Sequence, residues 1–328
     1  MDDRKTIEDA FQKNGVDVKI AKTVFSSYSC SIYVATLVPD EEELTLELIQ
    51  KIQNDMAHEL GYTPYFRPLL TFCNIMIYMR NDSPTVLPYS GRQLTPRFRE
   101  NYVSPFSVGR DEDGTLFTLD FNDNPTLLIT GEDGYGKSNL IRVIMKSAAK
   151  YDRYRFIVAD VSGDGGYEKS PSCSVIRTKN ELFAALSDLQ SEIRRRTEFC
   201  REWRKTKHIL SEKEKKSLRS IVLFIDDYSS LELSEKEKRS LLKTVKAIRR
   251  SGINNCVYLV LASQSIPDFV KENVGELFPG VITLRMKDDE STILNQTCEL
   301  PLPVYYPGDA FYLDNEDKTT FRIQCFRL

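Results

Sequence analysis

One short stretch limits what this chain can fold into more than any other. Residues 125–149 read PTLLITGEDGYGKSNLIRVIMKSAA. Thr126 to Thr130 is a brief apolar, β-favouring run, the pattern of a buried strand. The next eight residues, Gly131, Glu132, Asp133, Gly134, Tyr135, Gly136, Lys137 and Ser138, fit G-x-x-x-x-G-K-[ST]. Leu140, Val143, Ile144 and Ala148 then recur at helical spacing. The motif therefore lies between a strand and a helix, where its chemistry needs it. Glycines let backbone N–H groups turn inward around phosphate oxygens, Lys137 has the reach for the β- and γ-phosphates, and Ser138 suits Mg²⁺. The positive pole of the following helix adds to the cradle. The plain alternative is a Gly-rich turn that happens to precede a helix. The sequence context favours an ATP and Mg²⁺ site built from residues 131–138 and the adjoining Asn139. Glu132 and Asp133 are expected to point away from the phosphates.

Length and composition allow two domains with cores of their own in 328 residues. No apolar run approaches the roughly 18 residues of a membrane span, and the acidic start MDDRKTIEDAF is not a signal peptide. The seven cysteines are scattered, odd in number and never spaced C-x-x-C, which argues against a disulfide framework or zinc site and for a reducing, cytoplasmic setting. With two histidines, imidazole chemistry is not expected to carry a function. A net charge of −3 is compatible with nucleic-acid binding only if basic groups gather on one surface.

Along the chain, residues 1–105 read as a small α/β domain followed by a linker, and 106–328 as an α/β nucleotide-binding domain. A helix is expected over 6–14, a strand over 30–37, a helix over about 44–60 stopped by Gly61, and a strand over 69–79. Residues 81–105 are rich in Pro, Ser, Asn and Arg and read as a connector. Asp113-Gly114 is a hairpin signal between runs at 106–108 and 115–121. After the P-loop, strands over 154–159, 220–225, 257–262 and 281–286 alternate with helices over about 179–207 and 234–250. That alternation predicts a mostly parallel sheet with helices on both faces.

Four further features carry chemistry. The strand SIVLFI ends in Asp226 and Asp227. In a P-loop fold such a strand is expected beside the P-loop strand, its first acid helping to hold Mg²⁺ and its second orienting the attacking water. Gln264, after VYLVLAS, is placed to feel the γ-phosphate, or is an ordinary exposed Gln. Asp160 ends another strand and is expected at the binding crevice. The run Arg194, Arg195, Arg196, Arg201, Arg204, Lys205 and Lys207 reads either as a solvated helix face or as a surface for DNA or a neighbouring subunit.

Taken together, these residues resemble the motors of the FtsK/SpoIIIE family. The resemblance rests on the P-loop, Asp160, Glu192 and Arg196 in E-x-x-x-R, and Asp226-Asp227. It extends to RRSGI at 249–253 leading to LVLASQ at 259–264, DDESTIL at 288–294, and PGDAFYL at 307–313. Residues 49–61, IQKIQNDMAHELG, resemble the small domain that precedes those motors. The resemblance implies a RecA-like ATPase core that assembles as a homo-hexamer, binds ATP with Mg²⁺ and threads double-stranded DNA. It also implies a membrane-anchored partner or a membrane segment not in this sequence. The host process it implies is conjugative transfer or chromosome segregation. A type VII-like protein-secretion motor and a weakly active nucleotide-binding ring subunit are the alternatives. The chain departs from the family in three places. Asp227 stands where Glu is usual, Ser265 where Arg often follows the Gln, and Val281 where an Arg is expected near the subunit boundary. Slow turnover is therefore expected, with Arg285, Arg249 or Arg250 replacing the missing arginine.

Overall fold

A computed structural model describes residues 3–26, 30–38, 45–68, 74–81, 86–90, 103–151, 154–163, 165–170, 172–205, 219–286, 294 and 304–328. Its contacts divide the chain into two compact units. One comprises Met1–Val86, Glu112–Gly114 and Pro301–Tyr306, and the other Leu87–Asp111, Thr115–Leu300 and Pro307–Leu328.

In the smaller unit the order is α1 (Asp3–Lys13), β1 (Val18–Ser26), β2 (Cys30–Leu37), α2 (Leu46–Leu60), β3 (Tyr65–Pro68) and β4 (Asn74–Arg80). The strands form an antiparallel sheet in the order β1-β2-β4-β3. Alternation along the strands splits its faces. Tyr33 and Ala35 on β2 and Ile75, Ile77 and Met79 on β4 meet Ile7 and Phe11 of α1 and Ile49, Ile52 and Met56 of α2. Cys30, Ile32 and Tyr78 point the other way, to a small cluster that includes Tyr305. The boundaries of α2 follow from its caps. Thr45 accepts from the Leu48 amide at 3.2 Å, and Gly61, at φ 69°, closes the last turn by donating to the Ala57 carbonyl. The expected helix–strand–helix–strand order lacked β1 and β3. The expected strand over 69–79 starts at Asn74 among the described residues, while 69–73 lie outside them.

The larger unit contains β5 (Leu87–Pro88), β6 (Pro105–Asp111), β7 (Leu116–Asp120), β8 (Thr126–Thr130), α3 (Lys137–Ala148), β9 (Tyr154–Asp160), β10 (Cys173–Ile176), α4 (Lys179–Lys205), β11 (Ser220–Asp226), α5 (Glu235–Asn255), β12 (Val257–Ser263), α6 (Val274–Leu277), β13 (Gly280–Thr283), β14 (Asp309–Asp314) and β15 (Thr319–Arg327). Its strands make one sheet in the order β10-β9-β11-β12-β8-β13-β14-β15-β6-β7, with β5 beside β15. Pairing from β10 to β13 is parallel, and from β13 to β7 it is antiparallel. This is a RecA-like P-loop fold with an antiparallel extension. Leu127 and Ile129 of β8 pack with Leu140, Ile141 and Ile144 of α3, while α5 packs against α4, β8 and β12. The β5 pair, and the amides of Val103 and Ser104 bonded to the Asp120 carboxylate, belong to this unit although their residues read as connector.

The strand order corrects one expectation. β11 does not lie beside the P-loop strand: its neighbours are β9 and β12, and β12 separates it from β8. Chain order does not specify spatial order in a parallel sheet, because crossovers can skip a position.

Candidate nucleotide site

The C-terminal ends of β8, β11 and β12 converge on one edge of the sheet. Five consecutive buried residues carry β8 to Thr130, where the chain turns into the P-loop. The loop is stitched on both sides. Gly131 donates to the Ser263 carbonyl at the end of β12, and Glu132 donates to the Arg285 carbonyl after β13. A side chain at Gly131 would find no room: its Cβ would lie 2.8 Å from Leu284 Cβ, and φ is 148°. Gly136, also at positive φ, N-caps α3, and no acid occupies the first turn of that helix, so its positive pole is unopposed there.

Lys137 is 6% exposed and folds back over the loop. Its ammonium donates to the carbonyls of Gly131 and Glu132 at 2.8 and 3.2 Å and to Asp133 Oδ1 at 3.1 Å. The other oxygen of Asp133 accepts from Gln264 Nε2 at 2.7 Å. The two loop acids thus differ from the expectation that they point away. Asp133 is exposed but bridges Lys137 to Gln264, and Glu132 pairs with Arg285. Arg285 also donates to the Tyr135 hydroxyl at 2.6 Å and lies over its ring at 5.5 Å. Arg285 therefore lies on its own chain's P-loop.

On the other side of β12, Asp226 is buried at the end of β11. Oδ2 accepts from the Tyr167 hydroxyl at 2.6 Å, and Oδ1 is buried without a hydrogen-bond partner. Burial pushes this carboxyl above the usual carboxylate range, while the Tyr167 and Ser138 hydroxyls favour its charged form. Two hard oxygen donors, Ser138 and the orphaned Oδ1, fit a small divalent cation such as Mg²⁺. Asp227 follows with φ 55°. Burial raises its pKa first and Asp133 adds to the effect, with Lys137 acting in the opposite direction, so these three charges share one region. Ser229 ties this segment to β12: its hydroxyl is 3.1 Å from Ser263 Oγ and accepts from the Gln264 amide at 3.1 Å.

Lys137, Asp133, Gln264, Ser138, Asp226 and Asp227 are thereby brought together, with Arg285, Glu132 and Tyr135 at the rim. The side chain of Asn139 is not with them. It donates to the Phe326 carbonyl at 2.7 Å and accepts from the Leu328 amide, tying α3 to the C-terminal strand. Asp160 pairs with Asp226 across β9 and β11, at the same end of the sheet, but is engaged by its own loop. It is fully buried and accepts from Ser162, the amides of Gly163 and Gly165, and Arg177 at 2.7 Å. Arg249 is held by the Glu276 carbonyl and by Glu316.

In the basic run, Arg196 is 5% exposed. It binds Glu192 and the carbonyls of Arg219, Asn255 and Cys256, which joins α4 to the end of α5 and the entry to β11. Arg195 pairs with Glu192 on the surface, and the side chains at 204, 205 and 207 lie outside the described residues.

Sequence reasoning missed Tyr167 and Ser229. The one trace of Tyr167 was a bulky aromatic set directly after the glycines of the loop that follows β9.

No family model matches the chain. In sequence it is 24% identical over 256 residues to the DNA translocase FtsK of Staphylococcus epidermidis, covering 70% of this chain and 31% of that protein. It is also 24% identical over 257 residues to the ESX secretion system protein EccC of Thermomonospora curvata, covering 74% and 18%. The chain thus spans under a third of either relative's length. Among solved structures, the pCW3 conjugation coupling protein TcpA, in monomer form with ATPγS, gives a TM-score of 0.64 at 16% identity and covers 99% of this chain and 94% of that one. ATPases 2 and 3 of Thermomonospora curvata EccC, in complex with a signal sequence peptide, give 0.56 at 17% identity, covering 92% and 53%. At these identities the structural likeness speaks for the fold, while the sequence matches point to the same group of proteins. In sequence and in fold, the chain is similar to motors of the FtsK/SpoIIIE type.

Proposed function

We propose that this chain is an ATP-driven DNA translocase motor of the FtsK/SpoIIIE type, a P-loop ATP hydrolase. The observation that carries the reading is the convergence of Lys137, Ser138 and the orphaned Asp226 oxygen at one edge of the parallel sheet. Lys137 pairs with the β- and γ-phosphates, and the loop amides and the start of α3 cradle them. Ser138 and Asp226 would hold Mg²⁺, which neutralises phosphate charge when bound. Asp227 orients the attacking water. Gln264, between the two sides, senses the γ-phosphate through the place that Asp133 now engages. Arg285 acts on its own chain's nucleotide, so a subunit-bridging arginine in the assembly comes from elsewhere.

Several finer parts of the proposal come from the relatives. Double-stranded DNA as the track and a homo-hexameric ring as the working form follow from the resemblance to FtsK. A conjugation-type role follows from TcpA, whose likeness extends over nearly the whole of both chains. A cytoplasmic motor, at a membrane only through other segments or partners, is the corresponding location. No helix of the described residues is long and apolar enough to cross a membrane.

The secretion reading is favoured by the equal sequence identity to EccC and by the burial of Arg196, which withdraws one cation from any DNA surface. The ATPase rate separates the two. Stimulation by duplex DNA that fades with salt supports the translocase, stimulation by a signal-sequence peptide supports the secretion motor, and a response to neither overturns both.

A further inference from the structure

Tyr167 occupies a place where the packing of the sheet requires an aromatic ring but no hydroxyl. The ring is fully buried in the main core of the larger unit. Its hydroxyl donates to Asp226 Oδ2 at 2.6 Å and lies 3.4 Å from the Ser138 carbonyl. It therefore touches both residues assigned above to the cation, and it comes from neither the P-loop nor β11.

We propose that Tyr167 is a positioning residue for the cation site: its hydroxyl fixes Oδ2 of Asp226, leaving Oδ1 as the ligand beside Ser138. This rests on the nucleotide reading of the same site. A carboxylate on a short side chain can rotate, and a ligand free to rotate loses affinity. An outer hydrogen bond to one oxygen removes that freedom, which is how such partners tune metal sites. A buried tyrosine hydroxyl needs a partner, and here the partner is the acid.

The loop after β9 is built to deliver this ring. Asp160 gathers the amides of Gly163 and Gly165 and is itself held by Arg177. Arg177 also pairs with Glu168, next to Tyr167. Gly165 is required by contact and not by φ: a Cβ there would lie 2.0 Å from the Tyr167 ring. Asp160, the neighbour of Asp226 across β9 and β11, thus organises the loop that places Tyr167.

The test uses Tyr167→Phe, which keeps the ring and deletes the hydroxyl. Binding of a fluorescent ATP analogue to the full chain is measured across a Mg²⁺ titration and without Mg²⁺. The Mg²⁺ midpoint should rise about tenfold, with Mg²⁺-free binding within twofold of wild type. Intact Mg²⁺-free binding also shows that the variant folds. Gly165→Ala, which pushes the ring aside, should shift the midpoint in the same direction. A Tyr167→Phe midpoint within twofold of wild type, with wild type clearly Mg²⁺-dependent, overturns the positioning role and leaves the nucleotide reading standing. A wild-type chain that binds no analogue under any condition overturns both.

Discussion

The two sides of the nucleotide site are held by different forces. On the β11 side, Asp226 is buried, its Oδ2 is bonded to a fully buried Tyr167, and its position is set by the packing of the sheet. On the loop side, Lys137 is buried but its acidic partner Asp133 is 73% exposed, and Arg285, 51% exposed, is balanced by Glu132 and Tyr135. Packing is indifferent to salt and to ligand, whereas exposed charge pairs are worth little and are open to competition. On the proposed reading, the β11 side is shaped in advance for a cation, and the loop side holds Lys137 and Arg285 with acids, Asp133 and Glu132, that a triphosphate would displace.

The comparison can be broken most directly at Lys137. Lys137→Ala should lower ATP turnover at least about a hundredfold, since it removes the buried cation bonded to the loop carbonyls of Gly131 and Glu132. A steady-state assay checks this, and unchanged turnover would remove the loop side from the site. Next comes Asp227→Asn, expected to cut turnover by on the order of a hundredfold through lost orientation of the water, with analogue affinity unaltered. Equal turnover would make Asp227 a structural residue.

Asp226 tests the idea that its side is shaped in advance. Burial raises its pKa, so the folded chain keeps this proton to higher pH than the unfolded chain does. Its contribution therefore works against stability as pH rises through that raised pKa. Asp226→Asn should stabilise the free protein at neutral pH by roughly 1 kcal/mol, as removal of a functional strain often does. It should also flatten the stability–pH curve in the acid range and abolish the Mg²⁺ dependence of nucleotide binding. Denaturant melts at several pH values read this, and a destabilised variant would show that the acid is fully compensated. The smallest effect belongs to Asp133→Asn. Removing a negative charge from beside Lys137 and Gln264 should tighten analogue binding about fivefold, the factor for ~1 kcal/mol of relieved repulsion. Weaker binding would mean that Asp133 helps to build the site.

The sequence made one side of this comparison easier to read than the other. The P-loop is local: strand, glycines, lysine and helix are contiguous, so spacing alone located Lys137 and Ser138 at a strand–helix junction. Asp226 ends one apolar strand and Gln264 directly follows another, and the tips of parallel strands share an edge, which placed them broadly. Long-range contacts were not legible. Nothing in the order of segments says that β12 lies between β8 and β11, or that Tyr167 reaches Asp226 across 59 residues. Asn139 looked like part of the motif because it is adjacent to it, yet a helix turns its side chain by about 100° per residue, and that turn takes it to Phe326 and Leu328. Strand β15 escaped notice because two of its buried residues, Arg322 and Gln324, are of types that sequence reading assigns to solvent.

The left-handed backbone of Asp227 bears on which variants of this protein natural selection can reach. Asp and Glu are one base change apart, and Glu is one methylene longer, so on side-chain length alone it would carry the carboxylate further out. At a φ of 55°, however, Asp and Asn are tolerated and longer side chains are disfavoured, at a cost of about 1–2 kcal/mol. The residue type at this position is then selected by the main chain before it is selected by the reaction. A chain that acquires Glu here must either carry that backbone cost, as Glu232 does at φ 44°, or rebuild the turn through Tyr228 and Ser229.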